Sequence, residues 1–199
     1  MLRRPQDKID GLASSMSGVK VDLNPHQVDA ALFALKSPLS SGALLADEVG
    51  LGKTIEAGLV LAQCWSERKR KILLIVTASL RTQWRAELEE KFFIRSEILE
   101  SKNYNKAKKS DPSCNPFLVQ DAVVICSYNF ASAKMRDIQL VNWDLVIMDE
   151  AHKLRNVYKR NNVMGNNLKL ALKGKKKLLL TATLLQNNLM ELYGLVSII

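Results

Sequence analysis

The sequence predicts an α/β fold in which a mainly parallel sheet carries helices on both faces. Three observations lead there. Short apolar runs recur at residues 43–46, 72–76, 122–126, 145–148 and 178–180, and stretches of helical period separate most of them. A glycine-bearing turn, Asp47-Glu-Val-Gly-Leu-Gly-Lys-Thr54, stands between the first run and the helical pattern Ile55-Glu-Ala-Gly-Leu-Val-Leu-Ala-Gln63. An acidic pair, Asp149-Glu150, follows the fourth run directly.

Taken in order, residues 1–20 read as a flexible or peripheral segment and residues 21–199 as one folded unit. Asn24-Pro25 suits an N-cap and first helical position, and Val28, Ala31, Leu32 and Leu35 recur at helical spacing, so a helix is predicted over 25–36. After the strand at 72–76, Leu80, Trp84 and Leu88 repeat at helical period, which assigns Trp84 to the core rather than to base stacking. Residues 101–116 are rich in Lys, Asn and Ser and hold Pro112 and Pro116, so they read as a surface loop with room for a short helix. The run 145–148 is continuously apolar, as expected of a strand covered on both faces. The last segment, Leu195-Val-Ser-Ile-Ile199, is apolar and has no capping glycine or polar tail, which gives the expectation of a chain that is part of a longer protein.

Composition narrows the class. With 199 residues, 47% hydrophobic and 25% charged, the chain has the make-up of one globular domain with a sizeable core. No apolar run approaches the roughly 20 residues that span a bilayer, and the basic start is followed by polar residues, unlike a signal peptide, so no membrane partner and a cytoplasmic location are expected. Cys64, Cys114 and Cys126 are odd in number and widely spaced, which predicts reduced thiols in or near the core. Net charge is +9, with the excess at Arg68-Lys-Arg-Lys71, 102–109, 153–160 and 173–177, so a polyanionic partner is expected.

The chemistry rests on two motifs. In the first, Gly50 and Gly52 let backbone N–H groups curl round a polyphosphate, Lys53 brings a point charge to the β- and γ-phosphates, and Thr54 offers a hydroxyl to Mg²⁺. Asp47 stands where the strict phosphate-loop pattern has glycine. In the second, Asp149 and Glu150 emerge from a buried strand at the carboxyl edge of the sheet, where ligands of open α/β sheets bind. One carboxylate there suits the water shell of Mg²⁺, and the other suits orientation of the attacking water. Together they predict a nucleoside triphosphate site that uses Mg²⁺.

Six ordered stretches carry a resemblance. Leu23-Asn-Pro-His-Gln27, Ala46-Asp-Glu-Val-Gly-Leu-Gly-Lys-Thr54, Val76-Thr-Ala-Ser-Leu-Arg-Thr-Gln-Trp84, Ile125-Cys-Ser-Tyr128, Asp149-Glu-Ala-His-Lys-Leu-Arg-Asn156 and Leu180-Thr-Ala-Thr-Leu-Leu-Gln-Asn-Asn-Leu189 resemble the successive motifs of the first RecA-like lobe of Swi/Snf-type ATPases, DEAH-box members of helicase superfamily two. The ending Leu189-Met-Glu-Leu-Tyr-Gly-Leu-Val196 is most similar to prokaryotic members. The resemblance covers residues 23 to 199 and implies a RecA-like P-loop three-layer fold. It implies that Gln27 reads adenine and that Asp47, Glu48, Val49, Gly50, Leu51, Gly52, Lys53 and Thr54 bind ATP. Asp149 and Thr54 would hold Mg²⁺, Glu150 would position water, and His152 would link the site to Thr181, Thr183 and Gln186, which couple it to the rest of the motor. Thr77, Ala78, Ser79, Gln83, Ser127 and Tyr128 would face the nucleic-acid backbone. Leu184 replaces the family's usual proline and frees the turn there.

The implied function is ATP-driven translocation on double-stranded DNA, with sequence-independent backbone contacts and ATP hydrolysis once a second RecA-like lobe completes the site. A strand-separating helicase or restriction-type motor subunit is the alternative within the fold. A nucleotide-sensing binding module without useful turnover is the alternative from another functional class.

Overall fold

Five of the predicted apolar runs form strands where the sequence put them, to within a residue at each end. In the computed structural model, residues 24–36, 41–46, 52–154, 156–159, 161–182 and 189–199 are described. The expectations placed on residues 1–20, on Asp47, Glu48, Val49, Gly50 and Leu51, and on Thr183, Leu184 and Gln186 lie outside them. The strands are β1 (Gly42–Ala46), β2 (Ile72–Val76), β3 (Ser96–Ile98), β4 (Val123–Ser127), β5 (Leu145–Met148) and β6 (Lys177–Thr181). They form one sheet in the order β1-β6-β5-β2-β4-β3, and every neighbouring pair is parallel.

A parallel sheet needs cover on both faces, and alternation along each strand divides the core accordingly. Ile72, Leu74 and Val76 of β2 face one layer with Ile125, Ile147 and Leu180. Leu73 and Ile75 face the other with Val124, Val146 and Leu179. All five residues of β2 are fully buried, which on transfer arguments stabilises the fold by roughly 1.5–3 kcal/mol for each such side chain.

The first layer is built by three helices of twelve to fourteen residues: α1 (Pro25–Lys36), α2 (Lys53–Ser66) and α3 (Arg81–Phe92). Helix α1 starts as predicted, with the Asn24 carbonyl accepting from the N–H groups of Gln27 and Val28. Helices α2 and α3 approach closely because position 58 is glycine. A Cβ there would lie 2.1 Å from the Phe92 ring.

The second layer is made of shorter pieces: α4 (Ser101–Ser110), α5 (Tyr128–Ala133), α6 (Met135–Gln139), a 3₁₀ turn (Ala151–Leu154), α7 (Val163–Ala171) and α8 (Leu189–Val196). Aromatic rings knit them together. Phe117 stands 6.4 Å from Tyr104, 6.0 Å from Phe130 and 6.4 Å from Trp143, and the Tyr104 and Trp143 pairs meet edge to face.

Two elements differ from the sequence reading. Most of the stretch read as a surface loop, 101–116, is helix α4. Its start is closed by a reciprocal cap between Glu100 and Asn103, with the Glu100 N–H donating to Asn103 Oδ1 at 2.8 Å, and Tyr104 anchors its inner side. Strand β3 was not foreseen, because Ser96-Glu-Ile98 is short and polar and is held as an edge strand by its ladder with β4. Cys64 and Cys126 are buried, Cys114 is half-buried, and all three are free thiols, as expected. Among the described residues no helix is long and apolar enough to cross a membrane.

Candidate functional site

The carboxyl ends of β1, β6 and β5 lie side by side, and the residues that follow them meet in one cleft of about 300 Å³. It is lined by Gly52, Lys53, Thr54, Leu80, Gln83, Trp84, Asp149, Glu150 and Ala182. Gly52, Lys53 and Thr54, from the end of the first motif, are thus brought together with Asp149 and Glu150 of the second, about a hundred residues later in sequence.

Gly52 makes the entry to α2. Its φ of 93° belongs to the left-handed region, and a Cβ would stand 2.2 Å from Gln27 Nε2. Gln27 is buried against it and accepts the Asn24 N–H through Oε1 at 3.2 Å, so the residue expected to read adenine borders the end of the phosphate loop. Helix α2 then starts with no side-chain cap, which leaves its first turn and positive dipole end to face an anion. Lys53 and Thr54 occupy that first turn.

Across the cleft, Asp149 is held from four sides. Its N–H donates to the Ile75 carbonyl at 2.9 Å. Oδ1 accepts the Glu150 N–H at 2.8 Å, Oδ2 accepts Trp84 Nε1–H at 2.8 Å, and its carbonyl accepts the Tyr128 hydroxyl at 2.7 Å. Burial pushes the Asp149 carboxyl above the ordinary carboxylate range, against the pull of Trp84, the Glu150 N–H and Lys53. A cation in the cleft would work in the opposite direction and favour the carboxylate. Asp149 and Thr54 both line this cleft, and a carboxylate with a hydroxyl is an oxygen donor pair of the kind a small hard cation takes.

Glu150 follows in a left-handed conformation, φ 55°, which costs a non-glycine residue on the order of 1–3 kcal/mol and is found where surrounding structure enforces it. Glu150 is among the residues that line the cleft. His152 on the 3₁₀ turn brings Nδ1 to 3.0 Å from Glu150 Oε2, off the line of a directed hydrogen bond, so the contact is one of proximity. That turn packs against β6, whose terminal Thr181 is fully buried.

A second cleft of about 320 Å³ opens beside the first, at the ends of β2 and β4. Thr77, Ala78, Ser127, Tyr128, Asn129, Lys153 and Met164 line it. Thr77 Oγ1 and Ser79 Oγ stand 3.1 Å apart at its exposed margin. Four of the residues expected to face nucleic acid therefore converge, with Ser79 adjacent. Gln83 does not join them: it lines the first cleft and donates to Glu87 Oε1 at 2.9 Å. The Tyr128 ring is 4% exposed, with its hydroxyl turned inward to Asp149.

Sequence reasoning missed Asn129, Lys153 and Met164 in the second cleft and Leu80 and Ala182 in the first. Lys153 carried a signal, since it follows His152 directly and was counted only among the basic clusters.

Residues 25–199 match the family described as the SNF2-related domain. The chain belongs to that family. It is 40% identical over 178 residues to a protein of Bacillus subtilis (strain 168) named uncharacterized ATP-dependent helicase YqhH, an alignment that takes in 88% of this chain and 29% of that protein. It is 37% identical over 145 residues to the RNA polymerase-associated protein RapA of Yersinia enterocolitica, covering 71% of this chain and 15% of RapA. Among solved structures, the Sulfolobus solfataricus SWI2/SNF2 ATPase core in complex with dsDNA superposes with a TM-score of 0.71 at 24% identity, over 91% of this chain and 36% of that one. The fold is that of a RecA-like lobe, and the chain spans about a third or less of the proteins it matches.

Proposed function

We propose that this chain is the nucleotide-binding lobe of an ATP-driven motor that moves along double-stranded DNA, and that it hydrolyses ATP when a second RecA-like lobe completes the site. The observation that carries the reading is the first cleft, where an uncapped helix start, a lysine, a hydroxyl and two carboxylates face one volume at the carboxyl edge of the sheet. Domain boundaries at about residue 21, a cytoplasmic setting and contacts to duplex backbone through the second cleft belong to the same proposal.

Lys53 and the first turn of α2 bind and neutralise the β- and γ-phosphates. Thr54 and Asp149 would hold a Mg²⁺, which when bound would screen the phosphate charge. Glu150, locked by its strained backbone, orients a water and takes its proton, and His152 steadies the Glu150 carboxylate. The transition-state cation comes from the other lobe, since arginines supplied at the γ-phosphate contribute on the order of 10³–10⁵ in rate in related enzymes.

Calorimetry tests the lobe directly. The 199-residue chain is expected to bind Mg-ATP and Lys53→Ala to lose that binding, while phosphate release from the chain alone stays near zero with or without duplex DNA. Unchanged affinity in Lys53→Ala would remove the phosphate-loop assignment, and robust DNA-stimulated release from the isolated chain would remove the half-motor reading.

A further inference from the structure

Buried aromatic N–H and O–H groups need acceptors, and most find one nearby. Trp143 is the local pattern: its Nε1–H closes on the Ile138 carbonyl, five residues back. Trp84 and Tyr128 behave differently. They reach across 65 and 21 positions to the same residue, Asp149, one taking its carboxylate and the other its backbone carbonyl. Both are nearly fully buried, at 2% and 4% exposure.

Their places in the chain give this convergence meaning. Trp84 lies in the first turn of α3, directly behind the Thr77-Ala78-Ser79 segment at the margin of the second cleft. Tyr128 opens α5, behind Ser127, and its ring forms part of that cleft's wall. The segment at 127–128 is therefore one hydrogen bond from the acid motif, and the segment at 77–79 reaches it through the start of α3, whose Trp84 also lines the first cleft. The Tyr128 bond falls on the peptide that joins Asp149 to Glu150, and Glu150 holds φ 55° only while that peptide keeps its orientation. A small rotation there would move the Glu150 carboxylate, and a shift of α3 would move the Asp149 carboxylate through Oδ2.

On the function proposed above, we infer that Trp84 and Tyr128 are positioning residues that transmit occupancy of the second cleft by a phosphodiester backbone to the nucleotide cleft. Tyr128 sets the strained Glu150 peptide, and Trp84 sets the Asp149 carboxylate. Part of the coupling between DNA and nucleotide then resides inside this single lobe, independent of any closure between lobes.

Linkage supplies a test free of turnover. If duplex binding changes the affinity for Mg-ADP by some factor, Mg-ADP must change duplex affinity by the same factor, and that ratio cancels whatever a substitution does to either ligand alone. Calorimetry of Mg-ADP into the 199-residue chain, with and without saturating duplex at low salt, is expected to give a ratio of roughly fivefold or more for the wild type. Tyr128→Phe, which removes one hydroxyl and keeps the ring, and Trp84→Phe are each expected to bring it below about twofold. A second readout is Trp84 emission: Mg-ADP should change it in the wild type, and that component should vanish in Trp84→Phe. A wild-type ratio of one, or a ratio in Tyr128→Phe equal to wild type, overturns the relay even if Trp84→Phe folds poorly. Failure of the wild type to bind either ligand overturns the proposed function itself, and the relay with it.

Discussion

Asp149 and Lys177 are both ionisable groups that burial pushes towards their neutral forms, and they sit at opposite ends of the same sheet. Their surroundings differ in kind. Asp149, at the carboxyl edge, is met by donors from α3, α5 and its own backbone and keeps a face on an open cleft. Lys177, at the amino edge, is 2% exposed and its Nζ donates to the Lys175 carbonyl at 2.9 Å and towards a main-chain oxygen of Ile199 at 3.5 Å, with no Asp or Glu side chain paired to it among the described residues. Asp149 is thus fixed by side chains from two other helices at the rim of a cleft. Lys177 also borders a cleft, of about 440 Å³, but its Nζ meets main-chain oxygens rather than side chains sent from other helices.

The largest expected effect falls at the carboxyl edge. In a two-lobe protein that carries this chain, Glu150→Gln keeps the side-chain volume but cannot take a proton, so single-turnover phosphate release should fall by about 10²–10⁴ while ATP is retained. Near-normal release would place the base elsewhere and dissolve the contrast.

Stability measurements sharpen it further. Lys177→Met should be neutral or stabilising by about 1 kcal/mol at pH 7, since a buried ammonium gives way to a chain of similar shape. The pH dependence follows from the lowered pKa. The unfolded chain binds the proton more tightly, so the cost of Lys177 is fully present at neutral pH and fades as pH rises towards the ordinary lysine value. Urea melts of the two proteins should therefore converge towards pH 10, and a gain that grows with pH would contradict the assignment.

Glu150→Gly should also stabilise, by about 1 kcal/mol, because left-handed strain of roughly 1–3 kcal/mol is relieved against about 0.5–1 kcal/mol of added backbone entropy. A melting temperature higher by a few degrees, with hydrolysis abolished, would show stability given up for function at this position. A lower melting temperature would mean that the turn is not strained.

The smallest effect concerns the thiols. Burial raises the Cys126 pKa to about 12, so alkylation of the native protein should proceed at Cys114 and reach Cys126 only on unfolding. Mass mapping of labelled peptides reads this out, and early labelling at Cys126 would show that the interior opens locally.

Much of this arrangement was legible in the sequence because it is encoded locally. Strands β2 and β5 and helix α1 follow from continuous apolar runs and a capped helical period, and Lys53, Thr54, Asp149 and Glu150 declare themselves by spacing beside such runs. Helix α4 was read as loop because its Lys- and Asn-rich face outweighs the single anchor Tyr104 in any composition-based view. Strand β3 owes its existence to a partner strand rather than to its own residues. The bond from Trp84 to Asp149 spans 65 positions and depends on where α3 lands relative to β5, which no local pattern records. Periodicity put Trp84 in the core correctly, and it could not say that the core there ends in a carboxylate.

The placement of β1 has a consequence for how this chain emerges from a ribosome. Among the described residues Gly42–Ala46 pairs only with β6, whose residues follow roughly 135 positions later, so at about 5–20 residues per second β1 waits for its partner for about 7–27 s. The strands of the other half, β2 to β5, can assemble in that interval. The edge strand that precedes Lys53 and Thr54 is thus the last to join the sheet, and a nascent chain arrested before residue 177 would lack the strand that carries Ala182 to the first cleft.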